Sequence, residues 1–385
     1  MKICEPSKCC GCMACEAVCP KNAIKGIKDE YGFTRPETDN TLCVECGLCQ
    51  KVCPVNKKSS NGSLAAYAAY NKDTAVREKS SSGGIFALLA EDVLAEGGAV
   101  CGAGYDESFI PTHKIITDKK ELDALLGSKY VQSETEGLWK QLKALLDGGK
   151  KVLFCGTPCQ CAALTSYLGK EYDNLLKADI ICHGVPSQKL WKSYLDSNFR
   201  DVKSVSFRDK SKGWHLFSVK VTHADGEYLE TIHKNPYYRI FFGNNALREC
   251  CYECNFKGDG YESDITLGDF WGINRLYPQM NDDKGISAVI VRTEKGRKAF
   301  EKLSDRIKAK KCSAEDVARG NATLNKSSNR HPEREELMEM LKNDAPFERI
   351  AEKFGTPTAK SYVIKSEIKH RIMKIAGKIL SLFKK

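Results

Sequence analysis

The sequence predicts a mixed α/β (α+β) chain in two unequal parts, a compact cysteine-rich N-terminal lobe and a larger α/β domain. Three observations carry that expectation. Within residues 1–57 one cysteine spacing occurs twice; a short run of small polar residues follows; beyond it, apolar runs of strand length alternate with segments of helical period.

Bulk properties narrow the class. With 385 residues, 42% hydrophobic and 29% charged, the chain lies in the ordinary globular range. No apolar run approaches the roughly 20 residues of a membrane span. Met1-Lys2-Ile3-Cys4-Glu5 leads into cysteines without an apolar signal stretch, and the 19 cysteines sit in metal-type spacings, so reduced thiolates holding metal in the cytoplasm are expected in place of a disulfide scaffold. The formal charge of +10 counts every thiol as neutral. A four-thiolate cluster carries about −2, so three clusters leave about +4. No aromatic-basic interleaving or finger motif argues for nucleic acid.

The N-terminal lobe is the most specific segment. Cys9, Cys12, Cys15 and Cys19-Pro20 form one C-x2-C-x2-C-x3-C-P run, and Cys43, Cys46, Cys49 and Cys53-Pro54 form a second. Three thiolates two residues apart wrap three corners of a cubane and leave the fourth iron to a distant cysteine, which in bacterial-type dicluster ferredoxins comes from the other run. This assigns Cys9, Cys12, Cys15 and Cys53 to a first 4Fe-4S cluster, and Cys43, Cys46, Cys49 and Cys19 to a second. Gly11 and Gly47 fall inside the loops, where close backbone approach favours glycine. Cys4 and Cys10 lie outside the pattern and read as structural or incidental. Zinc ribbons use two C-x2-C pairs, so two consecutive four-cysteine runs favour iron and sulfide.

A polar linker over 55–63 opens the larger domain. Leu64 to Tyr70 reads as a strand, Ser80-Ser81-Ser82-Gly83-Gly84 as a turn, Ile85 to Ala95 as a helix, and Ala99 to Tyr105 as a second strand. The Ser-Gly cluster at the helix start could hold a phosphate or flavin pyrophosphate, although by itself it reads first as an ordinary cap. Gly102-Ala-Gly104 lacks the third glycine of a dinucleotide fingerprint. Further on, Lys151 to Phe154 reads as a strand, Gly156-Thr157-Pro158 as a turn, Cys159 to Leu168 as a helix, and Leu175 to Ile181 as a strand ending at Cys182-His183-Gly184. If these strands are parallel, Cys159 and Cys182 share the carboxyl edge of the sheet, with Cys159 at a helix N-terminus that favours its thiolate. Residues 204 to 232 read as antiparallel around the Ala-Asp-Gly turn at 224–226. Cys251 and Cys254 then supply two more thiols, which with Cys159 and Cys182 would complete a third cluster; reduced core cysteines or a zinc site fit the spacing equally well.

Gly156-Thr-Pro-Cys159-Gln160, Ile181-Cys182-His-Gly-Val-Pro186, Cys251-Tyr-Glu-Cys254 and Ser263-Asp-Ile-Thr-Leu-Gly-Asp-Phe-Trp-Gly272 resemble, in this order, the signature segments of the family of coenzyme F420 hydrogenase/dehydrogenase beta subunits. Ser81-Ser-Gly-Gly84 and Ser128-Lys-Tyr-Val-Gln132 are similar to its N-terminal half. The resemblance covers roughly residues 60 to 310, with 64–145 as the N-terminal part and 146–330 as the C-terminal part. It implies a mixed α/β domain with FAD and one 4Fe-4S cluster held by Cys159, Cys182, Cys251 and Cys254. Cys155, Cys161 and Cys250 flank these positions and could substitute. Ser82, Gly83, Gly84, Lys129 and Tyr130 become candidate flavin contacts. Members of the family oxidise or reduce the deazaflavin coenzyme or serve a chlorophyll-pathway reductase, and many come from organisms without that coenzyme, so the substrate stays open.

The expected function is therefore an iron-sulfur flavoprotein oxidoreductase that passes electrons between a ferredoxin or another redox protein and a small-molecule substrate at an FAD site. Two alternatives are an F420-oxidising or F420-reducing subunit of a larger complex, and a non-catalytic electron-transfer adaptor. His183, beside a proposed ligand, could donate a proton or orient the site, but in a His-Gly-Val-Pro turn it reads first as structural. Residues 363–385 carry seven Lys or Arg against one Glu, with Ile364, Ile368, Ile372, Ile375, Ile379 and Leu382 at helical spacing. A basic amphipathic helix over 358–385 is expected, suited to the inner membrane surface or to an acidic protein partner.

Overall fold

The structure, a computed structural model, describes residues 2–57 and 62–365 together with Ile368 and Ile372. The N-terminal lobe holds α1 (Ala14–Val18), the antiparallel hairpin β1 (Ile24–Lys28) and β2 (Thr34–Thr38), and α2 (Leu48–Val52). Cys15 and Cys49 lie within the two short helices. Each helix starts from a left-handed residue, Met13 at φ 56° and Gly47 at φ 75°.

The larger part continues with β3 (Ala65–Asn71), α3 (Thr74–Lys79), α4 (Ile85–Ala95), β4 (Ala99–Tyr105), β5 (Pro111–Ile116), α5 (Leu138–Asp147), β6 (Val152–Gly156), α6 (Pro158–Leu168) and β7 (Leu175–Ile180). After α7 (Gln188–Asn198) come β8 (Ser204–Asp209), β9 (Ser218–His223), β10 (Gly226–Thr231) and α8 (Pro236–Phe242). The remaining elements are β11 (Ile265–Asp269), β12 (Ser287–Val291), α9 (Glu294–Glu301), β13 (Ile307–Cys312), α10 (Ala314–Gly320), α11 (Arg334–Lys342) and α12 (Phe347–Phe354).

One eight-stranded sheet organises this part, in the order β13-β3-β12-β11-β7-β6-β4-β5. The adjacent strands β4, β6, β7 and β11 run parallel, while β5 at one end and β12, β3 and β13 at the other pair antiparallel with their neighbours. Every residue of β12 is buried, and only Cys155 of β6 is partly accessible. Near-continuous apolar strands of this kind belong to a sheet covered on both faces. As expected, residues 204–231 fold back on themselves, as the separate antiparallel sheet β10-β9-β8.

The lobe and the sheet share a core. Ile3, Ala14, Ile24 and Val52 of the lobe pack in one apolar cluster with Leu138, Trp139, Leu142, Phe154 and Leu164 of the larger part. Polar contacts lock the same seam. Trp139, fully buried, donates its indole N–H to the Cys12 carbonyl at 2.7 Å; the Thr135 hydroxyl donates to that carbonyl at 3.0 Å; and the Ser166 hydroxyl donates to the Val52 carbonyl at 2.6 Å.

Residues 360–365 are helical, and Tyr362, Ile364, Ile368 and Ile372 are exposed. The rest of the expected basic tail helix lies outside the described residues. Among the described residues no helix is long and apolar enough to cross a membrane.

The seam makes a first prediction. Trp139→Phe keeps most of the ring but removes one of two donors to a buried carbonyl, so unfolding in urea under anaerobic conditions should occur at lower denaturant, with a loss of about 1–2 kcal/mol. An unchanged midpoint would show that the indole hydrogen bond contributes nothing to the seam.

Candidate functional site

A cavity of about 850 Å³ opens at the carboxyl edge of the parallel strands, which is where open α/β sheets place ligands. β6 and β7 are parallel neighbours, so the chain leaves both at this edge and carries Cys159 and Cys182 to the cavity wall. Cys159 sits in the first turn of α6, which opens with Pro158 and a capping box between Thr157 and Gln160. Cys251 and Cys254 reach the same wall from the segment between α8 and β11.

The thiols gather in three groups. Cys159, Cys182, Cys251 and Cys254 interact electrostatically with one another. Two cysteines that the motifs did not select join them: Cys10 hydrogen-bonds Cys159, and Cys250 hydrogen-bonds Cys251. The helix terminus was expected to favour a Cys159 thiolate; against that pull, the neighbouring Cys10 thiol and burial push the thiol well above its usual range. Cys155 lines the cavity, whereas Cys161 is buried in the core and donates to the Ala178 carbonyl.

In the lobe, Cys19, Cys43, Cys46 and Cys49 line one small pocket of their own, with Cys46 exposed. Cys9, Cys15 and Cys53 form the other group, and Cys4 stands between Cys9 and Cys53 within hydrogen-bond reach of both. Cys9 is drawn below the ordinary thiol range by the Cys4 hydrogen bond and then by the charges of Arg248 and Arg35. Cys12, the remaining member of the expected set, stands beside Cys10 on the wall of the main cavity. The donor chemistry fits thiolate-ligated clusters, and among the described residues no three Cys, His, Asp or Glu side chains stand close enough to hold a single metal ion.

The rest of the cavity wall is polar and aromatic. Ser82, Gly84, Lys129 and Tyr130 all lie on its wall. The Ser81 and Ser128 hydroxyls are 2.9 Å apart there, close to the start of α4. Lys129 donates to the Ala124 and Leu126 carbonyls, and burial pushes its ammonium down to about 7. Nearby, burial holds His113 neutral, with its pKa at about 4. Gly83 is the exception among the candidate contacts. It faces the sheet and not the cavity: its N–H donates to the Ser287 hydroxyl at 2.9 Å, and an added Cβ would lie 2.4 Å from the Ala69 carbonyl oxygen and 2.7 Å from the Ser287 nitrogen.

Sequence reasoning missed what fixes this wall. Arg208 on β8 makes a bidentate pair with Asp269 at 2.7 and 2.9 Å, both largely buried, and donates to the Tyr130 hydroxyl and the Ser81 carbonyl, each at 3.0 Å. Trp214 adds an indole N–H to Asp269 at 2.6 Å. Asp269 falls inside the 263–272 motif, so an acidic residue at the end of an apolar strand was a legible signal; Arg208 offered none. His183 hydrogen-bonds Asn244 at 2.7 Å and packs against the rings of Phe241 and Phe242, an arrangement that orients it within the wall.

Thiol groups in an N-terminal lobe, joined to a cavity at a sheet edge, define an iron-sulfur oxidoreductase subunit. Residues 8–57 match the 4Fe-4S dicluster domain. Residues 66–140 match the N-terminal model, and 149–317 the C-terminal model, of the coenzyme F420 hydrogenase/dehydrogenase beta subunit. The chain belongs to that family of beta subunits. It is 24% identical over 330 residues to a subunit of the F(420)H(2) dehydrogenase of Methanosarcina mazei, covering 80% of this chain and 85% of that one. It is 25% identical over 349 residues to an uncharacterized protein of Methanocaldococcus jannaschii, covering 78% and 88%. Among solved structures, a chain of the F420-reducing NiFe hydrogenase complex from Methanosarcina barkeri is similar with a TM-score of 0.47 and 18% identity, over 77% of this chain and 93% of that chain.

Gly83 supplies the prediction of this section. Gly83→Ala should destabilise the flavin-free protein by about 1–3 kcal/mol, because the atoms it meets are backbone and cannot swing aside. Denaturant unfolding without added flavin measures it; full stability there would mean that the loop yields and that Gly83 is free to serve the cavity.

Proposed function

We propose that the chain is a subunit that oxidises or reduces the F420 coenzyme within a larger redox assembly, relaying single electrons through three 4Fe-4S clusters to a flavin in the main cavity. One observation carries the reading: a single cavity has on its wall both Cys159, Cys182, Cys251 and Cys254 and, with them, Ser81, Ser128, Lys129 and the start of α4. The name of the Methanosarcina mazei relative, with which this chain shares most of its length, supports the same substrate.

The lobe would hold two clusters, on Cys9, Cys12, Cys15 and Cys53 and on Cys43, Cys46, Cys49 and Cys19. The third cluster would sit on Cys159, Cys182, Cys251 and Cys254. Beside the second set, Leu42, Val44 and Leu48 are exposed around the accessible Cys46, an apolar approach suited to a redox-protein partner. Ser82, Gly84, Lys129 and Tyr130 would hold the flavin, with Gly83 supporting the loop from behind. A flavin bound there supplies the exchange between single electrons and two-electron hydride chemistry. The volume of the cavity lies near the upper end for small-molecule sites, and the aromatic residues Tyr130, Phe241, Phe242 and Trp271 on its wall suit a planar ligand. Arg208 holds Tyr130 and Ser81 in place.

Anaerobic reconstitution followed by iron, sulfide and flavin analysis tests the reading, with F420 reduction by dithionite-reduced mediator followed through the absorbance of the coenzyme. Bound flavin and F420 turnover are expected. Iron and sulfide without flavin would leave the adaptor reading standing in its place.

Lys129 gives a second, independent check. Its free pKa of about 7 means that the empty site loses the proton near neutrality, and a phosphate beside it restores the ammonium. Flavin binding above pH 7 therefore takes up a proton. Affinity should fall as pH rises from 7 to 9, by at most about tenfold per unit, and Lys129→Met should abolish the slope. Equilibrium dialysis across that range measures it; a slope that survives the substitution would remove Lys129 from the phosphate site.

A further inference from the structure

Arg248 is fully buried at the seam between the lobe and the larger part. Its Nε donates to the Cys9 carbonyl at 2.7 Å, Nη1 to the Gln132 amide oxygen at 2.9 Å, and Nη2 to the Thr34 carbonyl at 2.9 Å and to the Cys9 thiol at 3.7 Å. Its own backbone is fixed between the two groups of thiols, with its N–H donating to the Val185 carbonyl and its carbonyl accepting from the Cys251 N–H. The Phe33 ring lies 5.3 Å from the guanidinium. Gly11 leaves the passage open: a Cβ there would stand 2.8 Å from Nη1.

None of these partners is a carboxylate, and among the described residues no carboxylate pairs with Arg248. A buried cation without a counter-charge is strongly disfavoured. Thiols flank it on both sides, Cys9 and Cys10 from the lobe and Cys250 and Cys251 from the larger part; Cys9 and Cys251, members of the first and third sets, would become thiolates on binding metal, and the Cys251 N–H already bonds the Arg248 carbonyl at 2.9 Å. A cluster gains one further negative charge when it takes up an electron. A fixed cation and an N–H donor at a ligand sulfur both favour that reduced form, because net charge and hydrogen bonds to sulfur set cluster potentials.

We propose that Arg248 is the shared counter-ion of the first and third thiol sets, a positioning residue that raises the reduction potentials of both clusters together. The second set, in a separate pocket lined by Cys19, Cys43, Cys46 and Cys49, lies outside its contacts. The proposal rests on reading the two sets as cluster ligands. Iron and sulfide analysis of the wild type tests that reading separately from the tuning itself.

Reconstituted full-length protein would be titrated with dithionite against mediators and followed by electron paramagnetic resonance, with the second cluster identified by its altered signal in Cys46→Ser. In Arg248→Gln, the ratio of reduced to oxidised protein at fixed potential should fall about tenfold at the first and third clusters, 59 mV for each one-electron couple. The second should not move. Arg248→Lys should recover most of the shift. Gln132→Glu, which sets a carboxylate against Nη1 without changing size, should lower the same two potentials. Three unchanged potentials in Arg248→Gln would overturn the proposal, as would one equal shift at all three clusters. Should Arg248→Gln fail to load iron, Gln132→Glu decides through its own potentials, and unchanged values there overturn it. Failure of both to load while Arg248→Lys loads normally would support the need for the charge; failure of Arg248→Lys as well would assign the residue a purely steric role and sink the idea.

Discussion

Thiolates brought together in a medium of low polarity repel one another, and much of this chain is arranged to manage that repulsion. Two like charges 4 Å apart in a partly buried site oppose each other by about 4 kcal/mol. The thiols answer by keeping their protons: Cys10, Cys159 and Cys251 are all pushed well above the ordinary thiol range, largely by the thiols beside them and by burial. Loading with metal would reverse the balance, because each ligand must give up its proton to bind, and assembly of such sites would be coupled to proton release. Cations complete the arrangement. Arg35 and Arg248 act on Cys9, and Lys257 donates to the Cys182 and Thr323 carbonyls.

The sheet converts this chemistry into geometry. Parallel strands deliver Cys159 and Cys182 to the same edge without any loop having to search for the other, and the loop that carries Cys10 and Cys12 is pressed into the cavity wall by Trp139 and Thr135. The spacing between the lobe and the sheet edge is thus fixed by core packing. On the function proposed above, electrons would cross that boundary along a rigid path, in contrast with a tethered carrier that docks and releases.

Much of this was legible in the sequence because its signals are local. The two C-x2-C-x2-C-x3-C-P runs specify their loops by spacing alone, and the strand-turn-helix reading around Gly156-Thr157-Pro158 follows from Pro158 at the first helical position; the structure adds the capping box between Thr157 and Gln160. The Ala-Asp-Gly turn marked the antiparallel segment just as plainly. What stayed hidden depends on contacts between distant residues. Cys4 and Cys10 fall outside the motif but stand among the thiols, because the N-terminal segment folds back beside Cys53 and the Cys10 loop meets α6. Gly83 reads as part of a phosphate loop, yet the β3 and β12 backbones occupy the space behind it. Arg248 and Arg208 look like any other arginines until the fold buries them.

The position of β3 has a consequence for how the chain is made. This strand lies between β12 and β13, which come near the end of the described chain, so half of the sheet stays open until those last strands leave the ribosome. The lobe, by contrast, is translated first, long before Trp139 and Arg248 exist to close over it. An iron-sulfur centre inserted at that stage would stand on a half-built surface, without the side chains that later cover it.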